Sequence, residues 1–336
     1  MFVFLNFFMY ICLKKMEVNK SYEEHCLILA EARGVAGFKW RGPITAIINY
    51  IKQRGTEYFN KLSGTDDGNA NLNFDIPKSL TDKIDFINDF KITVKLRSPE
   101  KGERGGRCDT RKASIITDDG KLEWARITLQ GWLKMGVVQT DSLFGTLYHE
   151  INHAYDHYCS LMYVWNGNER YMKSSMKAGA ISLNGLTSLE NDILNEICYR
   201  LFSETEFNAL VASVYGDLEN MNSERVNFRN DFKRTQGYET YKIIEDNYKI
   251  VFNSIKDPDI LTIFGILQSR GAKFKYDKTN IVSIRKELIR KVRFLLEKLI
   301  WKMARAASLY YENKEDDERE KNKDGIIGHF DEYKNF

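Results

Sequence analysis

The sequence predicts an α+β fold that is rich in helix, with a small antiparallel or mixed sheet and a mostly helical C-terminal extension. Only 4 prolines stand against 22 glycines in 336 residues, which favours helices separated by glycine-containing loops. A central stretch alternates apolar and polar side chains, as half-buried strands do. The 43% hydrophobic and 13% aromatic residues are enough to build a core.

Composition also limits the functional classes. Charged residues make up 29% of the chain but nearly cancel to a net charge of +3, so the charge gives no strong indication of nucleic-acid binding. The five cysteines are an odd number and form no C-x-x-C pair, which indicates neither a disulfide framework nor a thiolate zinc site. We therefore expect a reducing compartment, the cytoplasm.

The N-terminal segment, residues 1–15, is predicted to lie outside the fold. Its apolar run, Met1 to Leu13, is too short to span a bilayer, and no basic residue precedes it as in a secretion signal. The chain becomes polar from Met16 onward. We expect an upstream extension or a weak anchor here, and no stable membrane span.

Residues 16–90 are predicted to form an N-terminal helical part. A serine followed three residues later by a glutamate has the form of a capping box and predicts a helix over 22–33. Proline in a first turn predicts a second helix over 43–62. A polar, glycine-containing loop over 64–75 and a short helix over 80–90 complete this part.

Residues 91–220 are predicted to form the core that carries the chemistry. Ile92 to Leu96 alternate as a strand does, and further strands are predicted over 113–117 and 122–130, joined by an Asp-Gly turn. The basic, glycine-rich segment from Arg97 to Lys112 is predicted to be a solvated loop, because its glycines fit no phosphate-binding spacing.

Helices dominate the rest of the chain. An irregular stretch over 164–185 interrupts them, and it could cover a cleft. Residues 221–311 are predicted to be a helical C-terminal part, and the charge run over 312–336 a solvated tail. One predicted helix starts at Thr140 or Asp141 and ends at about Leu161. A second covers 188–201, a third starts after Ser203, and a long helix covers 282–311.

A cluster of histidines marks the chemistry. The segment LYHEINHAYDHY contains the H-E-x-x-H pattern as His149, Glu150 and His153. On a helix, side chains four residues apart share one face, so two imidazoles meet one metal ion with the glutamate alongside. The alternative is an amphipathic helix with surface histidines, but a separate apolar stripe favours the metal site. That stripe consists of Leu143, Leu147, Ile151 and Ala154.

Two further residues of this helix are candidates for supporting roles. His157 lies eight residues after His149, about 12 Å along the helix axis at 1.5 Å per residue, which is too far for a shared ion. We expect it to be exposed or to support the ligands from behind. Asp156, three residues after His153, is a candidate to orient an imidazole through its other nitrogen.

A third ligand is expected from a downstream carboxylate, because catalytic zinc usually takes three protein ligands and keeps one position open. Glu206 is the main candidate, since it lies in a first helical turn with the small Ala209 one turn later. Its structural alternative is that Glu206 only completes a capping pattern with Ser203. Glu204 and Glu196 are the competing candidates.

These motifs resemble the zincin metallopeptidases whose third ligand is a glutamate. HEINHAYDHY preceded by a hairpin and a strand, and followed by a helix that opens SETEFNAL, is closest in style to SprT-like and ImmA/IrrE-like domains. The resemblance covers residues 91–220. It implies that His149, His153 and Glu206 bind Zn²⁺ and that Glu150 is the catalytic base.

The expected function is that of a zinc-dependent metallopeptidase acting on proteins or peptides, with strand 122–130 aligning the substrate if it lies at the sheet edge. Two other hypotheses stay open. The long helical remainder after residue 220 would suit a structural or assembly protein with a metal-stapled core. The basic loop from Arg97 to Lys112 would suit a protease associated with nucleic acid, although the small net charge of the chain is weak evidence against this hypothesis.

Overall fold

The computed structural model describes residues 40–62, 71–98, 105–110, 116–134, 137–139, 143–165, 181–269, 272, 274 and 280–332. Several sequence predictions lie outside these residues: the extension over 1–15, the helix over 22–33, most of the loop over 64–75 and of the strand over 113–117, and the middle of the segment over 164–185.

The sheet is small and mixed, as predicted. Its strands are β1 (Asn71–Asp75), β2 (Ile87–Arg97), β3 (Gly105–Asp109), β4 (Leu122–Lys134) and β5 (Val137–Gln139). The order is β1-β2-β4-β3, and β5 pairs with the end of β4. Strands β2 and β4 are parallel, whereas the other pairs are antiparallel.

The alternation of side chains decides which face of the sheet is buried. Ile92, Val94 and Leu96 on β2 are fully buried, and Ile127 and Leu129 on the neighbouring β4 are buried with them. The two-residue period therefore identifies a real strand in each case. The Asp-Gly turn before β4 is also present, since the backbone N–H of Gly120 donates to the carbonyl of Thr117.

The structure does not meet one condition set for the strands, and it contradicts one prediction about them. Strand β4 is central, because it pairs with β2 on one side and with β3 and β5 on the other, so residues 122–130 do not form an edge. Part of the predicted basic loop, Gly105–Asp109, is itself the edge strand β3. Its sequence, GGRCD, has no apolar alternation, so its strand structure comes from pairing with β4 and not from local preference.

The predicted helix over 80–90 is also wrong. A helix covers only Lys78–Thr81, and β2 begins at Ile87. Phe86 and Phe90 are both buried and lie four residues apart, which imitates the spacing of a helical face. Phe90 instead continues the alternation of β2, where pairing with β4 holds the chain extended.

Helices form the larger part of the molecule. They are α1 (Arg41–Leu62), α2 (Lys78–Thr81), α3 (Leu143–Trp165), α4 (Ser188–Glu196), α5 (Glu204–Asn220), α6 (Phe228–Lys233), α7 (Gln236–Ser254), α8 (Asp257–Ser269) and α9 (Ile281–Glu332). A π-helical turn, Ile197–Leu201, joins α4 to α5. Helix α9 continues beyond Glu312, so the charged segment is helical as far as Glu332. In the described part of the chain, no helix has an apolar run long enough to cross a bilayer.

Helices α3 and α5 carry the candidate metal ligands of the sequence analysis, and glycines let the two helices approach closely. A Cβ atom on Gly216 of α5 would lie 2.8 Å from the carbonyl oxygen of Phe144 and 2.9 Å from the Cα of Gly145 on α3. Any larger residue would therefore push the two helices apart. This contact fixes α3 against α5 near one end of each helix, on the buried side of the sheet.

The C-terminal helix braces α5 from outside. The loop that follows α5 is held by three side chains of α9. The Tyr311 hydroxyl lies 2.7 Å from Ser223 Oγ, the Tyr310 hydroxyl donates to the Ser223 carbonyl at 3.0 Å, and Lys314 donates to the Asn222 carbonyl at 3.1 Å. The helical C-terminal part thereby fixes the end of α5 opposite to the site.

Candidate metal centre

Helix α3 presents the two histidines of the H-E-x-x-H pattern on one side. The predicted apolar stripe is buried on the other side, with Leu147, Ile151 and Ala154 fully buried. The imidazoles of His149 and His153 are half-buried, with 14% and 19% of their side chains exposed. The helix therefore has both an apolar face and a histidine face, as its sequence predicts.

The structure brings Glu206 to these histidines. The Nε2 atoms of His149 and His153 are 3.1 Å apart. Glu206 Oε2 lies 3.5 Å from His149 Nε2, and Glu206 Oε1 lies 3.4 Å from His153 Nε2. One ligand atom from each residue lies within 4.8 Å of the others, so this buried group could hold a metal ion.

The donor set and its spacing suit zinc. Zinc binds imidazole nitrogen and carboxylate oxygen at about 2.0–2.2 Å in a tetrahedron, which places neighbouring ligand atoms about 3.3–3.6 Å apart. The separations between the two imidazoles and the carboxylate, 3.1 to 3.5 Å, are close to that range. Three protein ligands would leave a fourth position for water or substrate.

Helix α5 positions Glu206 in its first turn. The side chain of Ser203 caps the helix by accepting a hydrogen bond from the backbone N–H of Glu206. The capping pattern is therefore real, but it engages the Glu206 backbone and leaves the carboxylate for the imidazoles. The competing candidates stay outside the cluster, and Glu196 instead pairs with Arg200 at 3.2 Å.

Glu150 lies beside this cluster against the edge strand β3. It is only 5% exposed. Burial raises the pKa of its carboxyl to about 7, the charge of Glu206 acts in the same direction, and His149 and the backbone N–H of Cys108 oppose it. A Cβ on Gly106 of β3 would lie 2.6 Å from Glu150 Oε1, so only glycine lets the strand approach this closely.

His153 and Glu206 have the protonation states that a metal requires. Burial lowers the pKa of His153 to about 4, so the imidazole is neutral at pH 7. For Glu206, burial alone would raise the pKa, but hydrogen bonding by His149 and attraction to both imidazoles outweigh it and lower the pKa to about 2. The carboxylate is therefore anionic at pH 7.

Two residues next to Glu206, Tyr199 and Arg200, are missed by the sequence reasoning. Tyr199 and Arg200 lie on the π-helical turn before α5. The Tyr199 hydroxyl donates to Glu206 Oε1 at 2.7 Å, and Arg200 Nη1 donates to Oε2 at 3.4 Å. The helical period of the segment hides this placement, because a π-turn shifts which side chains face α5.

The remaining candidates on α3 do not join the ligand cluster. Asp156 is buried at 6% exposure, and His157 is half-buried near the end of the described side chains of the helix. The group of ligand atoms in the described residues contains neither of them. An orienting role for Asp156 stays a prediction.

Comparison with known proteins assigns no family to the chain. No protein-family model matches it, and neither a curated protein nor a solved structure matches it. The resemblance to zincins therefore rests on the motif and its spacing.

Proposed function

We propose that the protein is a zinc-dependent metallopeptidase that hydrolyses protein or peptide bonds. The observation that carries this proposal is the meeting of His149, His153 and Glu206 from two helices, with Glu150 buried beside them. Two imidazoles, a carboxylate and an adjacent acid are the groups that zinc-assisted hydrolysis needs.

The chain's own residues have distinct tasks in this proposal. His149, His153 and Glu206 would hold the ion, which when bound polarises a carbonyl and lowers the pKa of water toward about 7. Glu150 takes a proton from the attacking water at its carboxylate and returns it to the leaving amine. Burial of this carboxyl raises its pKa above the ordinary range, which makes the carboxylate a stronger base.

The edge strand β3 supplies a place for an extended peptide. It pairs with β4 on one side, and no other described strand pairs with its outer side. Its backbone packs against Glu150, since a Cβ atom on Gly106 would lie 2.6 Å from Glu150 Oε1. A peptide added along β3 would lie next to the proposed base, so we propose strand addition at β3 and not at the central β4.

Substitution of Glu150 tests the proposal. We expect Glu150→Gln to keep bound zinc and to lose hydrolysis of a panel of denatured proteins by a factor of about 10² to 10⁴, because only the base is removed. We expect His149→Ala to lose both zinc and hydrolysis. Glu204→Gln, an acid two residues from Glu206 but outside the cluster, is the matched control and should keep both. A fully active Glu150→Gln enzyme would disprove the assigned base.

The other hypotheses differ in the result they expect. A structural or assembly role is supported by the bracing of α5 by α9, and it would leave one equivalent of metal with no hydrolysis of any peptide. The hypothesis of association with nucleic acid rests on the basic segment from Arg97 to Lys112, which contains the edge strand Gly105–Asp109. A steep loss of DNA binding with added salt would be required to support it.

A further inference from the structure

The carboxylate of Glu206 is held on both of its oxygens. Oε1 lies between His153 Nε2 at 3.4 Å and the Tyr199 hydroxyl at 2.7 Å. Oε2 lies between His149 Nε2 at 3.5 Å and Arg200 Nη1 at 3.4 Å. Each oxygen therefore has one imidazole and one donor from the π-helical turn.

The two donors contact one another, and Arg200 is also held by a third residue. The Arg200 guanidinium lies 5.5 Å from the centre of the Tyr199 ring, and its Nε donates to Glu196 Oε2 at 3.2 Å. Both residues are consecutive on the turn Ile197–Leu201, and π-turns are frequent at functional sites because they redirect side chains. The turn thereby aims two donors at one carboxylate.

We propose that Tyr199 and Arg200 are positioning residues that hold Glu206 as the third metal ligand and so set the affinity of the site for zinc. This inference rests on the metal site of the proposed function. A carboxylate has a rotatable side chain, and fixing both oxygens in advance removes the cost of ordering it when the ion binds. Partners that orient ligands in this way typically contribute 10–100-fold in metal affinity.

The two residues differ in the sign of their charge effect. The Tyr199 hydroxyl is neutral, so Tyr199→Phe removes only the hydrogen bond to Oε1. Arg200 has two opposing effects. Its positive charge repels a cation, whereas its N–H group donates to Oε2 and orients it. Arg200→Lys keeps the charge and loses the planar fork of N–H groups, so it isolates the orienting part.

The zinc dissociation constant of the full chain tests the proposal, measured by competition with a chromophoric chelator. We expect the constant to rise about 10-fold or more in Tyr199→Phe and in Arg200→Lys. Tyr241→Phe is the matched control, because Tyr241 also donates to a glutamate at 2.7 Å, but in an exposed hydrogen bond on helix α7 and outside the metal cluster. It should bind zinc within about twofold of the wild type.

A second readout separates positioning from folding. The visible absorption of the Co²⁺-loaded protein reports ligand geometry, and we expect it to change in Tyr199→Phe but not in Tyr241→Phe. If Tyr199→Phe does not fold, Arg200→Lys decides alone. Zinc affinity within twofold of the wild type in every folded variant of the pair would overturn the proposal.

The outcome also separates this proposal from the proposed function. A wild type that binds one zinc without hydrolysing any peptide would end the peptidase proposal and leave the positioning role intact. A wild type that binds no zinc would overturn both.

Discussion

Gly106 is the position where one added carbon should disturb the site most. A Cβ there would lie 2.6 Å from both Cγ and Oε1 of Glu150, and 2.7 Å from Cγ2 of Thr146. Both neighbours belong to α3, and Glu150 and Thr146 are buried, so they have little room to move. Overpacking of this kind costs about 1–3 kcal/mol.

We therefore expect Gly106→Ala to lower both stability and activity. An unfolding entropy of about 2.1 cal/mol/K per residue over 336 residues corresponds to about 1.4 °C per kcal/mol, so the melting temperature should fall by about 1–4 °C. If Glu150 is the base, a displacement of about 1 Å should reduce hydrolysis on the order of 10²-fold. Differential scanning calorimetry and the peptide-cleavage assay measure the two effects.

Gly265→Ala is the matched control for this substitution. Gly265 lies in α8, and a Cβ there would meet nothing within 4 Å. The exchange should stabilise the helix by about 0.5–1 kcal/mol and leave hydrolysis unchanged. A Gly106→Ala protein with the melting temperature and the cleavage rate of the wild type would refute the close packing of β3 against Glu150.

Two other predictions concern stability. Burial raises the pKa of Asp217 to about 7. The native state therefore keeps a proton that the unfolded state loses from about pH 4 upward. Because of this difference, the free energy of unfolding should fall between pH 4 and 7. The expected fall is on the order of 4 kcal/mol, and urea titrations at several pH values measure it. Asp217→Asn should remove the fall, whereas Asp192→Asn, at an exposed position, should leave it unchanged. Asn191 accepts from the Leu183 N–H at 2.9 Å and donates to the Thr187 carbonyl, so Asn191→Ala should cost about 1–3 kcal/mol in the same titration; an unchanged midpoint would contradict it.

Much of the site follows from the sequence because its signals are local. The H-E-x-x-H spacing places two imidazoles on one helical face wherever the helix packs, and the pattern of Ser203 and Glu206 predicts the start of α5. Helix capping and helical period do not depend on distant residues. Only one feature of the ligand cluster is not local: helices α3 and α5 must cross so that Glu206 meets the two histidines.

What the sequence could not predict depends on contacts between distant segments. Strand β3 has a glycine-rich sequence with no alternation, and only pairing with β4 makes it extended. The central position of β4 follows from the parallel pairing with β2, which no local pattern reveals. Tyr199 and Arg200 reach Glu206 because a π-turn replaces the regular helix, and its i to i+5 bonds leave no clear mark in composition.

Anomalous diffraction at the zinc edge, from crystals of the full chain grown with zinc, would locate the ion relative to its three expected ligands. We expect one strong peak about 2.0–2.2 Å from Nε2 of His149, Nε2 of His153 and a carboxylate oxygen of Glu206. A peak held by other side chains, or zinc-soaked crystals with no peak between these three residues, would contradict the account.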